Sequence, residues 1–272
     1  MTRTPNPRAS GPGGTELIRP MDIELLPDPI AAAWTPREAL RETPWLHSVP
    51  AATLDRLAGQ SMLHRMPSGS VLFEQAETPA FALLLVEGSV ELLAVRGAEE
   101  TLVEFVRAPD LLLPAAVLNR QPYLLRARVL DGARLVMVQA DAFRQAVASD
   151  HALCLAVLAC QAAQFRRQIK HAKNLQLRSA EERIGCYMLA LIENGDPGTP
   201  VRLPLEKRLI ASQLGMTRET FSRTLAAVAR HGLRVDGDLV VLEDAAVAHA
   251  RFRFDPLLDG PEAISPLSVK RT

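Results

Sequence analysis

Residues 203–242 read LPLEKRLIASQLGMTRETFSRTLAAVARHGLRVDGDLVVL, and the apolar spacing within them changes from helical to alternating. The first three quarters predict helix, turn, helix, with Gly215 at the bend. In the second helix Thr217 is placed to cap the first turn. Phe221, Leu225 and Val228 follow at i, i+4 and i+7, so they share one buried face. The remainder, LRVDGDLVVL, is two short apolar runs around Asp236 and Gly237, the pattern of a tight hairpin. A hairpin directly after a helix-turn-helix is a wing.

The arc of the second helix opposite its core face carries Arg218, Glu219, Ser222 and Arg223. Two readings of that arc stand side by side. Arg can bond guanine O6 and N7 together, Glu can accept from cytosine N4, and Ser can bond a base edge or a phosphate. The four residues lie in the first turns, where recognition helices approach base edges. The same residues also suit a solvated face with a Glu219–Arg223 pair at i, i+4. Thr217 and Lys207 complete the candidate DNA-contact set. Local charge bears on the choice. The whole chain balances 31 Lys and Arg against 31 Asp and Glu, yet residues 165–234 hold thirteen basic residues against six acidic ones. Phosphate-backbone binding calls for such a local excess.

Outward from this stretch, SAEERIGCYMLALIE at 179–193 predicts an amphipathic helix capped by Ser179, with Ile184, Tyr187, Met188, Leu191 and Ile192 on one face. Before it the chain is helical from about Asp141. Leu155, Leu158, Ala162, Phe165, Ile169 and Ala172 alternate spacings of three and four there, an a/d seam that suits a symmetric contact between two copies. The alternative is a helix lying on its own domain's core. Gln164, Arg166, Arg167, Gln168, Lys170 and Lys173 keep its other faces polar. Earlier still, LHSVPAATLDRLAGQ reads as a short helix with Thr53 as its cap. Short apolar runs at 71–73, 81–86, 89–95, 101–106, 127–130 and 133–138 predict an antiparallel barrel or sandwich.

The 272 residues, 48% hydrophobic, accommodate two domains. Residues 1–42 are rich in proline and poor in apolar periodicity, and are expected to be a flexible extension. Nothing there resembles a secretory signal, and no stretch is apolar enough to span a bilayer. Cys154, Cys160 and Cys186 form no CxxC pair, which fits a reduced, cytoplasmic protein. The chain has no nucleophile elbow, Walker loop, HExxH or His/Cys/Asp cluster, so an enzyme is not expected.

IASQLGMTRETFSRTLAAVARHGL followed by its wing resembles the DNA-reading unit of the CRP/FNR superfamily of bacterial regulators. The similarity extends over about 44–244, through MPSGSVLFEQAE and LLLVEGSVEL, which are similar to a cyclic-nucleotide-binding β-roll with turn glycines at Gly69 and Gly88. The resemblance implies an α+β chain: extension 1–42, antiparallel β-roll sensory domain 43–150, dimerisation helix 151–178, winged helix-turn-helix 179–250 and tail 251–272. It implies that Arg218, Glu219 and Arg223 read bases and that Ser222 adds a contact. It further implies a homodimer on a palindromic operator, acting as an activator that touches RNA polymerase through the loop 194–200, with a repressor or an effector-independent member as alternatives.

The effector is less legible. PDLLLPAAVLNRQPYLLRARVL at 109–130 lacks the Gly-Glu and Arg-Ser/Thr pairs of cyclic-AMP binders, so cyclic AMP is disfavoured. No cysteine precedes Cys154, which disfavours the iron–sulfur cluster of the oxygen-sensing branch. Leu112, Leu113, Val117, Arg126 and Arg128 are the candidate pocket. Haem, sensing carbon monoxide or nitric oxide, is the remaining cofactor, with His47, His64, His151 and His171 as candidate ligands.

Overall fold

The computed structural model describes residues 34–195 and 201–259. Helix α1 (Pro36–Glu42) opens with a reciprocal cap: Glu38 N–H donates to the Thr35 hydroxyl, and Thr35 N–H donates to the Glu38 carboxylate at 2.7 Å. Ala39 and Leu40 are buried and Trp34 packs beside them. The expected flexible extension 1–42 is therefore corrected over 34–42, where two core side chains hold the segment down. Residues 1–33 lie outside the described part. A 3-10 turn (Pro44–Leu46) leads to α2 (Ala51–Ala58). Thr53 is not its cap, because the helix starts after Pro50. The Thr53 hydroxyl instead donates to Asp150.

The sheet comprises β1 (Ser61–Met66), β2 (Val71–Phe73), β3 (Phe81–Arg96), β4 (Glu99–Arg107) and β5 (Asp110–Leu112), then helix α3 (Pro114–Asn119) and β6 (Arg126–Gln139). Its order is β1-β6-β3-β4, with β2 against β6 and β5 against β3, all antiparallel. Two pairs of expected strands are each one bent strand. Runs 81–86 and 89–95 join in β3, and 127–130 and 133–138 join in β6. Of the two glycines read as turn signals, Gly69 turns the chain between β1 and β2, whereas Gly88 lies within β3 amid register shifts from Leu85 to Val90. Gly88, at φ 84°, is required there, since a Cβ would come within 2.3 Å of the Gly132 carbonyl oxygen. Phe73, Leu85, Val90, Leu92 and Leu135 fill the roll, and Phe73 stacks on Tyr123 at 3.7 Å.

Helices α4 (Ala140–Ser149) and α5 (His151–Leu177) follow. Asp150 caps α5 by accepting from Leu153 N–H. One face of α5 (Leu153, Ala156, Val157, Cys160) closes a second core with Leu40, Leu54 and Phe143.

The remaining elements are α6 (Ala180–Glu193), β7 (Val201–Arg202), α7 (Lys207–Gln213), α8 (Arg218–Ala229), β8 (Leu233–Asp236), β9 (Leu239–Leu242), α9 (Ala245–Arg251) and α10 (Pro256–Asp259). The expected hairpin gains a third strand, in the order β7-β9-β8. Ile184, Met188, Ile210, Phe221, Val228 and Phe252 form the core. Phe252 is fully buried, and Asp259 binds Arg178 with both oxygens at 2.6 Å. The boundary expected at 250 therefore moves, with 251–259 packed into this domain and 260–272 outside the described residues. No single helix among the described residues is long and apolar enough to cross a membrane.

Candidate nucleic-acid interface

Helix α8 is held by its inner face. Phe221 and Val228 have no exposed surface, Leu225 packs beside them, and Thr217 caps the start by accepting from Thr220 N–H at 3.2 Å. Gly215, at φ 67°, turns the chain from α7 into α8. The Leu175 side chain lies 2.4 Å from where a Cβ at Gly215 would sit, so the end of α5 presses on the turn.

The opposite arc is open. Thr217, Arg218, Glu219, Ser222 and Arg223 are all exposed, whereas Lys207, at the first position of α7, is half-buried. The Glu219–Arg223 pair required by the solvated-face reading does not form within ion-pair distance. Arg223 makes only a 3.4 Å contact to the Thr220 hydroxyl. The Glu219 carboxyl is held below its usual range chiefly by its own backbone N–H and by Thr217, with Arg218 and Arg223 contributing through space. This arc thus presents two guanidinium groups, a carboxylate and a hydroxyl, none committed to an ion pair among the described residues.

The charge excess is smaller than it looks in sequence. Arg167 pairs with Glu104 and Asp110, Arg178 with Asp259, Arg202 with Asp238, and Arg234 with Asp236 and Glu243. These carboxylates lie outside 165–234. On α8 itself, Arg218 and Arg223 have no carboxylate within ion-pair distance among the described residues.

Sequence reasoning missed how this unit is seated. Helix α7 lies on β4, where Leu209 packs with Leu93 and Leu102. Leu102 N–H donates to the Ser212 hydroxyl at 3.2 Å, and Arg107 donates to the Pro204 carbonyl. Helix α5 is bolted to the roll by residues taken for a polar outer face. Asp110, 2% exposed, accepts from Gln164 (2.8 Å), Arg167 (2.7 Å) and the Cys160 thiol, while Glu104 accepts from Arg167 and Gln168. Burial raises the Glu104 carboxyl despite Arg167. The available signal was the spacing of Cys160, Gln164 and Arg167 at i, i+4 and i+7, a second face of α5.

The seam lies on the other side of α5. Leu155, Leu158, Ala162, Phe165 and Ile169 are exposed, Phe165 by 66%, while Ala172 is half-buried.

The expected effector residues do not converge. Leu112 packs inside the roll, and Val117 with Leu111 packs under α4 and α5. Leu113 holds φ 41° at the start of α3. Arg126 bonds Glu74 and Glu100, and Arg128 bonds Glu91 and Glu100. Both guanidinium groups are already neutralised by carboxylates, so these residues do not fit a cyclic nucleotide's phosphate. The haem candidates are dispersed as well: His47 is exposed after the 3-10 turn, His64 pairs with Leu135 inside β1, His151 is exposed at the start of α5, and His171 faces α6. Burial pushes the Cys160 thiol up to about 12 and the Cys186 thiol up to about 11. Both are inert thiols at neutral pH.

Two domain families match in the order the fold presents them: a cyclic nucleotide-binding domain at 63–150 and a Crp-like helix-turn-helix domain at 182–247. The chain belongs to the CRP/FNR superfamily. That is a superfamily of transcription regulators, not of enzymes. The chain is 32% identical over 115 residues to the nitrogen fixation regulation protein FixK of Azorhizobium caulinodans, a match covering 40% of this chain and 46% of FixK. It thus spans about half the length of that curated relative. In fold it is similar to FixK2 from Bradyrhizobium japonicum (TM-score 0.57, 19% identity, 70% of this chain and 96% of that one). The c-di-GMP responsive global regulator CLP of Xanthomonas campestris is also similar (TM-score 0.59, 18% identity, 72% and 100%). The loop 194–200, expected to touch RNA polymerase, lies outside the described residues beyond Gly195.

Proposed function

We propose that this CRP/FNR-type chain is a sequence-specific transcription regulator that binds DNA as a homodimer. Its α8 enters successive major grooves of a palindromic operator. The observation that carries this reading is the free arc of α8. Arg218, Glu219, Ser222 and Arg223 stand exposed, in no ion pair among the described residues, on a helix whose other face is locked by Phe221 and Val228. Such an arc offers Arg to guanine, Glu to cytosine and Ser to a base edge or phosphate, on a rigid support. The exposed α5 seam supports the dimer, since two recognition helices need a two-fold axis to match two half-sites. The 32% identity to a nitrogen fixation regulation protein supports a regulatory role, while activation through RNA polymerase at the loop 194–200 rests on analogy with the superfamily.

Selection from a random DNA pool tests the reading. A palindrome with a GA step in each half-site, of the superfamily's TGTGA or TTGAT type, is expected, and Glu219→Ala should relax the preference at one position. Recovery of no palindrome, or an unaltered preference in Glu219→Ala, overturns α8 as the recognition helix. Transcription in vitro with purified RNA polymerase should rise on a template carrying the selected site; a fall would make the protein a repressor.

A further inference from the structure

A cavity of about 130 Å³ lies where β4, α5, α6, α10 and the turn after α7 meet. It is far smaller than a nucleotide site, since ligand pockets for drug-sized molecules run from about 300 Å³ upward. An engineered cavity of about 150 Å³ accepts a molecule of benzene's size. Its walls differ from those of an apolar void: Arg167, Arg178, Arg183, His171, Asn174 and Tyr187 face it.

The cations around it are unequally compensated. Arg167 is neutralised by Glu104 and Asp110, and Arg178 by the two-pronged contact to Asp259. Arg183 has no carboxylate within ion-pair distance among the described residues. Its Nη1 donates to the Arg178 carbonyl at 2.9 Å, and its Nε is buried without any partner. Burial alone depresses its guanidinium, and with no anion to oppose it, its charge joins burial in depressing His171. That N–H is closed to solvent, and what lines the pocket is the rest of the guanidinium, left without a counter-ion among the described residues. The planar fork of Arg bonds carboxylate and phosphate oxygens in pairs.

We propose that this cavity is a binding site for a small oxyanion, inorganic phosphate or a short carboxylate, held by Arg183 with His171 and Tyr187 beside it. Arg183 and Arg178 straddle the junction of α5 and α6. The bound anion therefore ties the long helix to the DNA-reading domain, at the opposite end of α5 from its Asp150 cap. Its effect on operator binding rests on the regulator reading above, but the binding itself does not.

Isothermal titration of the full-length protein without DNA, at constant ionic strength, separates the two. Inorganic phosphate and succinate are titrated separately, and saturable binding of one per protomer is expected from at least one. The tighter probe identifies the head group. Arg183→Gln should weaken it by at least about tenfold, and Arg183→Lys, which keeps the charge and the apolar stem but loses the fork, by an intermediate factor. The lysine variant also guards against misfolding of the glutamine variant. No saturable heat from either probe, or unchanged affinity in both variants, overturns the site. With operator DNA present, the bound probe should shift DNA affinity by about fivefold or more. An unchanged affinity for DNA overturns the coupling, while failure to bind any DNA would condemn the regulator reading and leave the calorimetry standing.

Discussion

Arg223 is exposed and makes no ion pair among the described residues, so its truncation removes little from the folded protein. Arg223→Ala is expected to cost about 1–3 kcal/mol on the selected operator, with binding to random DNA nearly unchanged in fluorescence anisotropy. Equal losses on both would mark it as a phosphate contact. Gly185 behaves oppositely. It needs no unusual backbone angle, yet a Cβ there would lie 2.3 Å from the fully buried Phe252 ring. Gly185→Ala should therefore destabilise the domain by about 1–3 kcal/mol, read as a lower Tm, because the ring has nowhere to go. Cys160 and Cys186 should resist iodoacetamide at pH 8 in the native protein and react after denaturation, with mass spectrometry as the readout. Rapid native labelling of Cys160 would mean that its cover of Asp110 and Gln164 opens.

Helices α5 and α6 show which parts of the elements were legible. The period of Leu155 to Ala172 marks a largely exposed face of α5, and Ser179 with Glu182 marks the start of α6, because both signals are local. Ser179 N–H donates to the Glu182 carboxylate at 2.9 Å. Ser179→Ala should cost about 1 kcal/mol in denaturant unfolding at pH 7. The bonds from Ser179 hold the Glu182 carboxyl below its usual range. The part that comes from the Ser179 hydroxyl's bond to this carboxylate is present above the ordinary carboxylate range and is lost as pH falls through the lowered value, so the gap between mutant and wild type should narrow in acid to the cap bond from Glu182 N–H. Phe165→Lys should yield monomers in sedimentation, and an intact dimer would refute the seam. The spacing of Cys160, Gln164 and Arg167 marks a second face of α5 but not what that face meets, since the partners Asp110 and Glu104 lie 50 or more residues away. Nor did it show that Gly88 bends a strand instead of ending one.

At the scale of the molecule, the two domains and their order were readable because each has its own periodicity. Their junction was not. The contacts of Leu209 with Leu102, Ser212 with Leu102 N–H and Leu175 with Gly215 join residues far apart in sequence, and none follows a period. Leu209→Asp should loosen α7 from β4 and enlarge the radius of gyration in solution scattering, whereas an unchanged radius would show that the contact does not hold the domains. The length of α5 adds a mechanical consequence. Its 27 residues form a rod of about 40 Å at 1.5 Å rise per residue. In the proposed dimer a tilt of about 5° at the capped end of that rod carries the far end, with α8 seated beyond it, by about 3.5 Å, roughly the spacing of one base-pair step. A protractor's error in the coiled seam is therefore a whole letter's error on the operator.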